Sequence, residues 1–204
     1  MRLFAAVRPP ERVLHHLDLA LRVVQDGGQR AAPHSSVRWT VPENRHLTTA
    51  FYGEVSDGAV DVLVDALRAG LADVRPFELR LRGAGVFAHR TVWVGVSGDV
   101  EGMHAVIDAT GSAGESVGAR PDTRVRSRPH MTVGRIGPAA GARRRGSRRP
   151  APEAAEGAAL VHALSLYDGP AWQVDEVVLL RSQPGAGRGG GPLYTPLEGF
   201  SLAP

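Results

Sequence analysis

The stretch His46-Leu47-Thr48-Thr49 has a counterpart in His130-Met131-Thr132-Val133, and both lie in apolar, β-favouring surroundings. In a strand, residues two positions apart lie on the same face, so each histidine shares a face with the threonine that follows it. Histidine is the side chain whose ordinary pKa lets it donate or accept a proton near neutrality. Two imidazoles and two hydroxyls therefore predict an active site, divided between two halves of the chain, that moves a phosphoryl group without a metal ion.

Hydrophobic periodicity predicts mixed strands and helices with hairpins, which is typical of an α+β fold rather than a doubly wound sheet. Strands are expected at 2–8, 37–40, 77–87, 91–96, 172–182 and 193–200, and along both motifs. Helices are expected from Pro9-Pro10-Glu11 to Gly27-Gly28, with Val13, Leu17, Leu19, Leu21 and Val24 on the apolar face, from a Ser56-Asp57 cap through Ala59, Leu63, Leu67 and Leu71, from Asp99 to Val117, and from Pro152 to Tyr167.

The residues around the two motifs resemble those of a known family. They are the stretches Trp39–Gly53 and Arg128–Arg135, the opening Met1–Val7, and Val174–Ser182 followed by Tyr194. They are similar to the 2H phosphoesterase superfamily, and within it to the bacterial and archaeal RNA 2′,3′-cyclic phosphodiesterases, long called 2′-5′ RNA ligases. The likeness covers residues 1–137 and 152–201. Arg8, Tyr52 and the arginine-rich segment after Gly137 depart from the family's pattern.

The resemblance implies two pseudo-symmetric lobes with mainly antiparallel sheets, one His-x-Thr motif in each, and an active-site cleft between them. We expect a single domain over residues 1–204, with lobes of about 1–97 and 98–204 that exchange strands, and a flexible arginine-rich loop at 138–150. The implied reaction is metal-independent hydrolysis of RNA 2′,3′-cyclic phosphodiester ends to 2′-phosphomonoesters. In it His46 is the proton donor and His130 the proton acceptor, roles that the motifs alone leave open. Because charge accumulates on the phosphoryl oxygens, the hydroxyls of Thr48 and Thr132 are expected to donate hydrogen bonds to them.

Phe51 and Arg135 each stand five residues after a motif histidine and are further candidates for substrate contact. An aromatic ring at Phe51 stacks on a terminal base, and a guanidinium at Arg135 pairs with a phosphate. Strict strand alternation, however, puts both residues on the face opposite the histidines. The alternative is that Phe51 packs in the core and Arg135 forms an outside ion pair, unless a β-bulge resets the register.

Composition excludes several classes of chemistry. The chain has no cysteine, and all 24 of its basic residues are arginines, so cysteine nucleophiles, Schiff bases, lysine-adenylate intermediates and Walker-type phosphate loops are excluded. We expect no metal and no cofactor, because the reaction requires neither and the other histidines have no carboxylates at ligand spacing. These histidines are His15, His16, His34, His89, His104 and His162.

The formal net charge of +3 depends on a cluster of five arginines between Arg143 and Arg149. A second run, from Arg120 to Arg128, leads into the second motif, where it either guides a phosphate or forms a solvated edge. The sequence contains neither a signal peptide nor an apolar run of about 20 residues. We therefore expect a cytoplasmic monomer with no membrane partner, whose substrate is RNA or an oligonucleotide with a 2′,3′-cyclic phosphate end.

Two other classes of function remain open. One is a sibling activity at the same site, either 2′-5′ RNA ligation or opening of an ADP-ribose cyclic phosphate. The other is a non-catalytic protein that binds RNA ends. Product analysis with defined cyclic phosphates separates these alternatives.

Overall fold

The computed structural model describes residues 1–31, 37–119, 128–137 and 152–203, and at 27–31 and 152–154 it describes the backbone alone. These residues form nine strands and four α-helices. The strands are β1 (Arg2–Val7), β2 (Val37–Trp39), β3 (Leu47–Glu54), β4 (Phe77–Phe87), β5 (Thr91–Gly98), β6 (His130–Ile136), β7 (Trp172–Val174), β8 (Glu176–Gln183) and β9 (Leu193–Ser201). The helices are α1 (Glu11–Ala31), α2 (Val60–Leu71), α3 (Val100–Glu115) and α4 (Pro152–Leu164). The predicted α+β class is confirmed.

All strands join one antiparallel sheet in the order β7-β4-β5-β6-β3-β1-β8-β9, with β2 pairing β6. The order is pseudo-symmetric about the centre, where β3 matches β6, β1 matches β5 and β8 matches β4. Strands β4 and β5, from the first half of the chain, lie beside β6 of the second half, and β8 and β9, from the second half, lie beside β1 of the first. The two lobes, their boundary near residue 97 and the exchange of strands between them stay predictions.

The helices cover one face of this sheet. The buried side chains Leu3, Ala5 and Val7 of β1 pack into the main core with Leu17 of α1 and Leu67 of α2. Alternate residues of β1 point the other way, because successive side chains of a strand face opposite sides. Phe4 and Ala6 form a smaller buried cluster on that second face with Val178 and Leu180 of β8 and Tyr194 of β9. The second face is the one that carries the motif side chains.

Two details of the helices differ from the sequence-based expectation. Leu19 is 49% exposed on α1, because only the stripe of Val13, Leu17 and Leu21 meets the sheet. Ser56 makes no capping hydrogen bond, since a short 3-10 turn at Asp57–Ala59 precedes α2.

Asp99 does cap α3, where its side chain accepts a hydrogen bond from the Gly102 backbone N–H at 2.8 Å. This satisfies one of the free N–H groups of the first helical turn.

Two sequence-based expectations concern loops and membranes. The predicted loop at 138–150 lies outside the described residues. Within the described ranges, no helix combines the length and the apolarity that crossing a membrane requires.

Candidate active site

The two motifs lie side by side on the central strands of the sheet. Leu47 of β3 pairs directly with Met131 of β6, and both side chains are fully buried in the main core. Because a strand's side chains alternate, the residues before and after this pair point to the opposite face. His46 and Thr48 therefore share the second face of the sheet with His130 and Thr132. All four side chains are half-buried.

A β-bulge follows each motif. Strand β1 pairs Ala6 with Thr48 and Ala5 with Ala50, so Thr49 is skipped. Strand β5 skips Val133 in the same way. The seven residues from each motif histidine onward show the same succession of half-buried, buried and exposed positions in both copies. The two halves of the site are thus built with the same local geometry.

These bulges decide where Phe51 and Arg135 lie. An extra residue in a strand reverses the alternation beyond it, so each His+5 side chain returns to the face of its histidine. Phe51 is 39% exposed and pairs with Phe4, whose ring contacts His46. Arg135 is exposed. The structure therefore places both candidates on the motif face, and their role in binding substrate stays a prediction.

Each motif imidazole is held by the backbone two residues before it. Nδ1 of His46 lies 2.9 Å from the carbonyl oxygen of Asn44, and Nδ1 of His130 lies 2.8 Å from that of Arg128. A carbonyl oxygen only accepts hydrogen bonds, so Nδ1 carries the proton and donates in both rings. The Nε2 atom of each ring is then a base when the imidazole is neutral and an acid when it is protonated. This arrangement suits either direction of proton transfer.

His46 lies in an aromatic corner. Its ring centroid is 4.9 Å from that of Phe4 and 5.2 Å from that of Tyr194, and the Tyr194 ring meets it edge-on at 88°. The pKa of His46 is lowered from 6.5 to about 4, mainly by burial of the ring, against a smaller raising effect of the Asn44 hydrogen bond. The charges of Arg8 and His130 make smaller contributions to this lowering. His46 is therefore neutral in the free protein at pH 7, and His130 is close enough to act on it electrostatically.

His130 has a different aromatic neighbourhood. The centroid of its ring lies 4.8 Å from that of Phe87 and 6.0 Å from that of Trp93, and these two aromatic rings stack 5.1 Å apart. The guanidinium carbon of Arg128 lies 5.6 Å from the Trp93 ring centroid, within cation–π range. Both rings come from the β4–β5 hairpin, whereas the rings at His46 come from β1 and β9.

Tyr194 connects the first half of the site to Arg135. Burial raises the pKa of the Tyr194 hydroxyl, while the charges of Arg135 and Arg2 act in the opposite direction. The guanidinium carbon of Arg2 also lies 5.0 Å from the centroid of the Phe51 ring. The positive charges of Arg2, from the first half of the chain, and Arg135, from the second, therefore act on the aromatic corner. These charges favour an anionic ligand there.

Sequence reasoning missed several of these contacts. Tyr194 stood in a stretch that resembles the family, but no local pattern connected it to His46 across the chain. Phe87 and Trp93 belong to a predicted hairpin of alternating buried and exposed residues, and no local pattern distinguishes them from the other strand residues there. Arg8 stood out only as a departure from the family's pattern. Each of these residues reaches the site through strand pairing between distant segments.

The described residues contain no group of three or more His, Asp or Glu side chains placed to hold a metal ion. The predicted absence of a metal and a cofactor stays a prediction. Of the remaining histidines, His34 lies outside the described residues. His16 lies 3.2 Å from the hydroxyl of Tyr167, on the helix side of the molecule.

Comparison with known proteins agrees with this arrangement. The sequence model of the 2'-5' RNA ligase superfamily matches residues 30–186, a range that contains both motifs. The chain belongs to this superfamily. It is 31% identical over 206 residues to the RNA 2',3'-cyclic phosphodiesterase of Methanothermobacter thermautotrophicus, and the alignment covers 99% of each chain. The family predicted from the sequence is confirmed.

Solved structures of two other proteins share the fold of this chain. The chain superimposes on Escherichia coli LigT complexed with 3'-AMP with a TM-score of 0.67, at 22% identity, covering 100% of this chain and 98% of the other. It superimposes on a protein of Thermus thermophilus with a TM-score of 0.66, at 24% identity, covering 99% and 98%. At these identities the likeness establishes the architecture alone.

Proposed function

We propose that the protein is an RNA 2′,3′-cyclic phosphodiesterase that opens the cyclic end to a 2′-phosphomonoester. The observation that carries this proposal is the placement of two His-Thr pairs on adjacent strands, with both Nδ1 atoms bonded to backbone carbonyls. The relative that aligns over the full length is an RNA 2',3'-cyclic phosphodiesterase by name. RNA is accordingly the expected substrate class.

The proposed reaction needs one base and one acid on opposite sides of phosphorus. Nε2 of His130 takes a proton from the attacking water, whose oxygen forms the new bond to phosphorus. The bond between phosphorus and the ribose 3′ oxygen breaks, and Nε2 of His46 donates a proton to that oxygen. The hydroxyls of Thr48 and Thr132 donate to the non-bridging oxygens, where negative charge develops. One water is consumed, and proton exchange with solvent restores both rings.

The low pKa of His46 bears on its assigned role. A proton donor must be protonated before the chemical step, yet burial keeps this ring neutral in the free protein at pH 7. The bound phosphodiester anion raises the pKa of a nearby imidazole, since an opposite charge favours the charged form. The role of His46 as acid therefore requires substrate binding to charge the ring.

Phe51 and Arg135 are proposed as substrate contacts. Phe51 is the exposed ring of the motif face and offers a stacking surface to the terminal base. Arg135 lies near Tyr194, beside the site, and offers a guanidinium to a phosphate oxygen.

The test is product analysis with purified protein. An oligonucleotide with a 2′,3′-cyclic phosphate end, incubated in EDTA, should yield a 2′-phosphomonoester. Replacing His46 or His130 by alanine should lower kcat about 10²–10⁴-fold. His162→Ala removes an exposed imidazole of α4 and serves as the matched control with unchanged rate. Binding without product would contradict the proposal and favour an RNA-end binding protein, and joined 2′-5′ RNA as the main product would favour ligation.

A further inference from the structure

The residue two positions before each motif histidine contacts the site twice. This residue is Asn44 in the first half of the chain and Arg128 in the second. The backbone carbonyl of each accepts the Nδ1–H hydrogen bond of its histidine, at 2.9 Å for His46 and 2.8 Å for His130. Their side chains make a second contact, with an aromatic strand on the far side of the ring.

The Asn44 side chain contacts the loop between β8 and β9. Its Nδ2 donates a hydrogen bond of 2.9 Å to the carbonyl oxygen of Pro192, which is 148 positions away in the chain. Pro192 directly precedes β9, and Tyr194 of that strand meets the His46 ring edge-on at a centroid distance of 5.2 Å. Asn44 therefore joins the His46 imidazole to the strand that carries one of its aromatic neighbours.

The Arg128 side chain contacts the β4–β5 hairpin in an analogous way. Its guanidinium carbon lies 5.6 Å from the centroid of the Trp93 ring, and cation–π attraction acts within about 6 Å. The Trp93 ring stacks on Phe87, whose ring centroid lies 4.8 Å from that of His130. Arg128 therefore joins the His130 imidazole to the hairpin that carries both of its aromatic neighbours.

A side chain that is held at its far end restricts the backbone of its own residue. The carbonyl of that residue accepts from Nδ1 only over a narrow range of backbone angles, because a hydrogen bond weakens steeply as its angle departs from linear. Any rotation of Asn44 or Arg128 therefore strains the carbonyl contact and the side-chain contact together. The proton stays on Nδ1, and Nε2 of the imidazole stays available for proton transfer.

The two side-chain contacts differ in strength. Asn44 ends the 3-10 turn at Pro42–Asn44, and its side-chain hydrogen bond is partly buried. Arg128 is exposed, and an exposed cation–π contact is weak. Arg128 also precedes Pro129, and a residue before proline is already restricted to extended backbone angles. The Asn44 contact is therefore expected to matter more than the Arg128 contact.

We propose that Asn44 and Arg128 are positioning residues, each of which holds one motif imidazole by its carbonyl and the neighbouring aromatic strand by its side chain. The proposal rests on the proposed cyclic phosphodiesterase function, in which both imidazoles transfer protons. Each residue acts on its own histidine, so the two halves of the site are held separately. The side chains act through the histidines and not through the substrate.

Steady-state kinetics on a 2′,3′-cyclic phosphate separates positioning from substrate binding. Asn44→Ala should lower kcat about 10-fold, between the effect of one lost hydrogen bond and that of a misplaced catalytic group. Arg128→Ala should lower kcat about 2- to 5-fold, the range of an exposed cation–π contact. KM should change by less than about 2-fold in both variants. An unchanged kcat in Asn44→Ala would overturn the proposal, as would a raised KM with unchanged kcat in Arg128→Ala, which would make this arginine a phosphate contact.

NMR of the histidine rings tests which imidazole each residue holds. At constant pH, Asn44→Ala should shift the ring resonances of His46 more than those of His130, and Arg128→Ala should do the reverse. Equal shifts of both rings in both variants would indicate a general loosening of the fold and would overturn the proposal. This measurement needs no turnover, so it tests the positioning role even if the wild type opens no cyclic phosphate, a result that would contradict the proposed function.

The matched control is Arg12→Ala. Nη1 of Arg12 donates to the carbonyl oxygen of Ala171 at 2.8 Å, so this variant removes an exposed bond from α1 that also joins a side chain to a distant backbone carbonyl. The kcat and both sets of ring resonances should equal those of the wild type. A loss of kcat as large as that in Asn44→Ala would show that the effect is not specific to the site and would overturn the proposal.

A double-mutant cycle tests whether Asn44 acts through the strand of Tyr194. Tyr194→Ala removes the ring beside His46, so Asn44→Ala should lower kcat less in this variant than in the wild type. Equal fold-losses in both backgrounds would show that the two residues act independently and would refute the connection through β9.

Discussion

A buried ion pair just before the first motif gives a sharp test of what holds His46 in place. The Arg45 side chain is 4% exposed, and its Nη1 lies 2.6 Å from Asp18 Oδ1 of α1. Its Nε donates to the carbonyl oxygen of Thr40 at 3.1 Å. The pair ties α1 to the segment that leads into His46. Asp18→Ala leaves the guanidinium buried with one partner fewer.

The expected loss in the free energy of unfolding follows from the burial of each partner. Removing one member of a buried pair costs about 3–5 kcal/mol, since the remaining charge is uncompensated. Asp18 is 23% exposed, so water reaches the vacated position and the lower end, about 3 kcal/mol, applies. For a chain of this length that corresponds to a melting temperature about 6–12 °C lower. Arg45→Met should cost less, because it leaves only the partly exposed carboxylate unpaired.

Urea unfolding of the wild type, both single variants and the double variant measures this coupling as a double-mutant cycle. The matched control is Asp65→Ala, which removes the exposed partner of Arg68 at 2.7 Å and should change stability by less than about 1 kcal/mol. An Asp18→Ala loss no larger than that of Asp65→Ala would refute the reasoning.

Three further predictions concern the histidines and the Trp93 side of the site. The pKa of His46 is about 4 in the folded protein and about 6.5 when unfolded, so the unfolded chain binds the extra proton and stability falls as pH drops from 6.5 to 4. Urea unfolding at several pH values should show that, between pH 6.5 and 4, the wild type loses about 3 kcal/mol of unfolding free energy that the His46→Gln variant keeps. The same pH dependence in both proteins would contradict the burial of the ring. In His46→Ala, residual kcat/KM should rise with pH if His130 is the base, whereas a fall with pH would make His130 the acid. Gly85→Ala should lower stability by about 1–3 kcal/mol, because an added Cβ would lie 2.1 Å from Trp93 Cζ2 and displace the indole, and a melting temperature equal to that of the wild type would contradict this contact.

The local pattern of the sequence was enough to predict the α+β class, most of the strands and helices, and the shared face of each motif histidine and its threonine. These features depend on residues two to four positions apart, whose relative directions a strand or helix determines by itself. The family resemblance rested on the same stretches, and the superfamily match agrees with it. Leu19 shows the limit of such patterns, because an apolar residue at helical spacing is exposed when no element packs over it.

The pairing of distant strands decided the rest. Whether Phe51 and Arg135 share the motif face depends on which residue each partner strand skips, at Thr49 and Val133. Which residue is skipped depends on the pairing with β1 and β5 as much as on the motifs, so no single stretch of sequence determines it.

The sequence by itself determined that each motif histidine shares a strand face with its threonine, because a strand's two-residue period is a local property. Only the tertiary structure decided which residues surround these side chains. It paired Thr48 with Ala6 in one half and Thr132 with Trp93 in the other, and it placed the Trp93 indole over Gly85. The physical reason is that space beside a residue is defined by the atoms packed against it, and these come from segments far away in the chain.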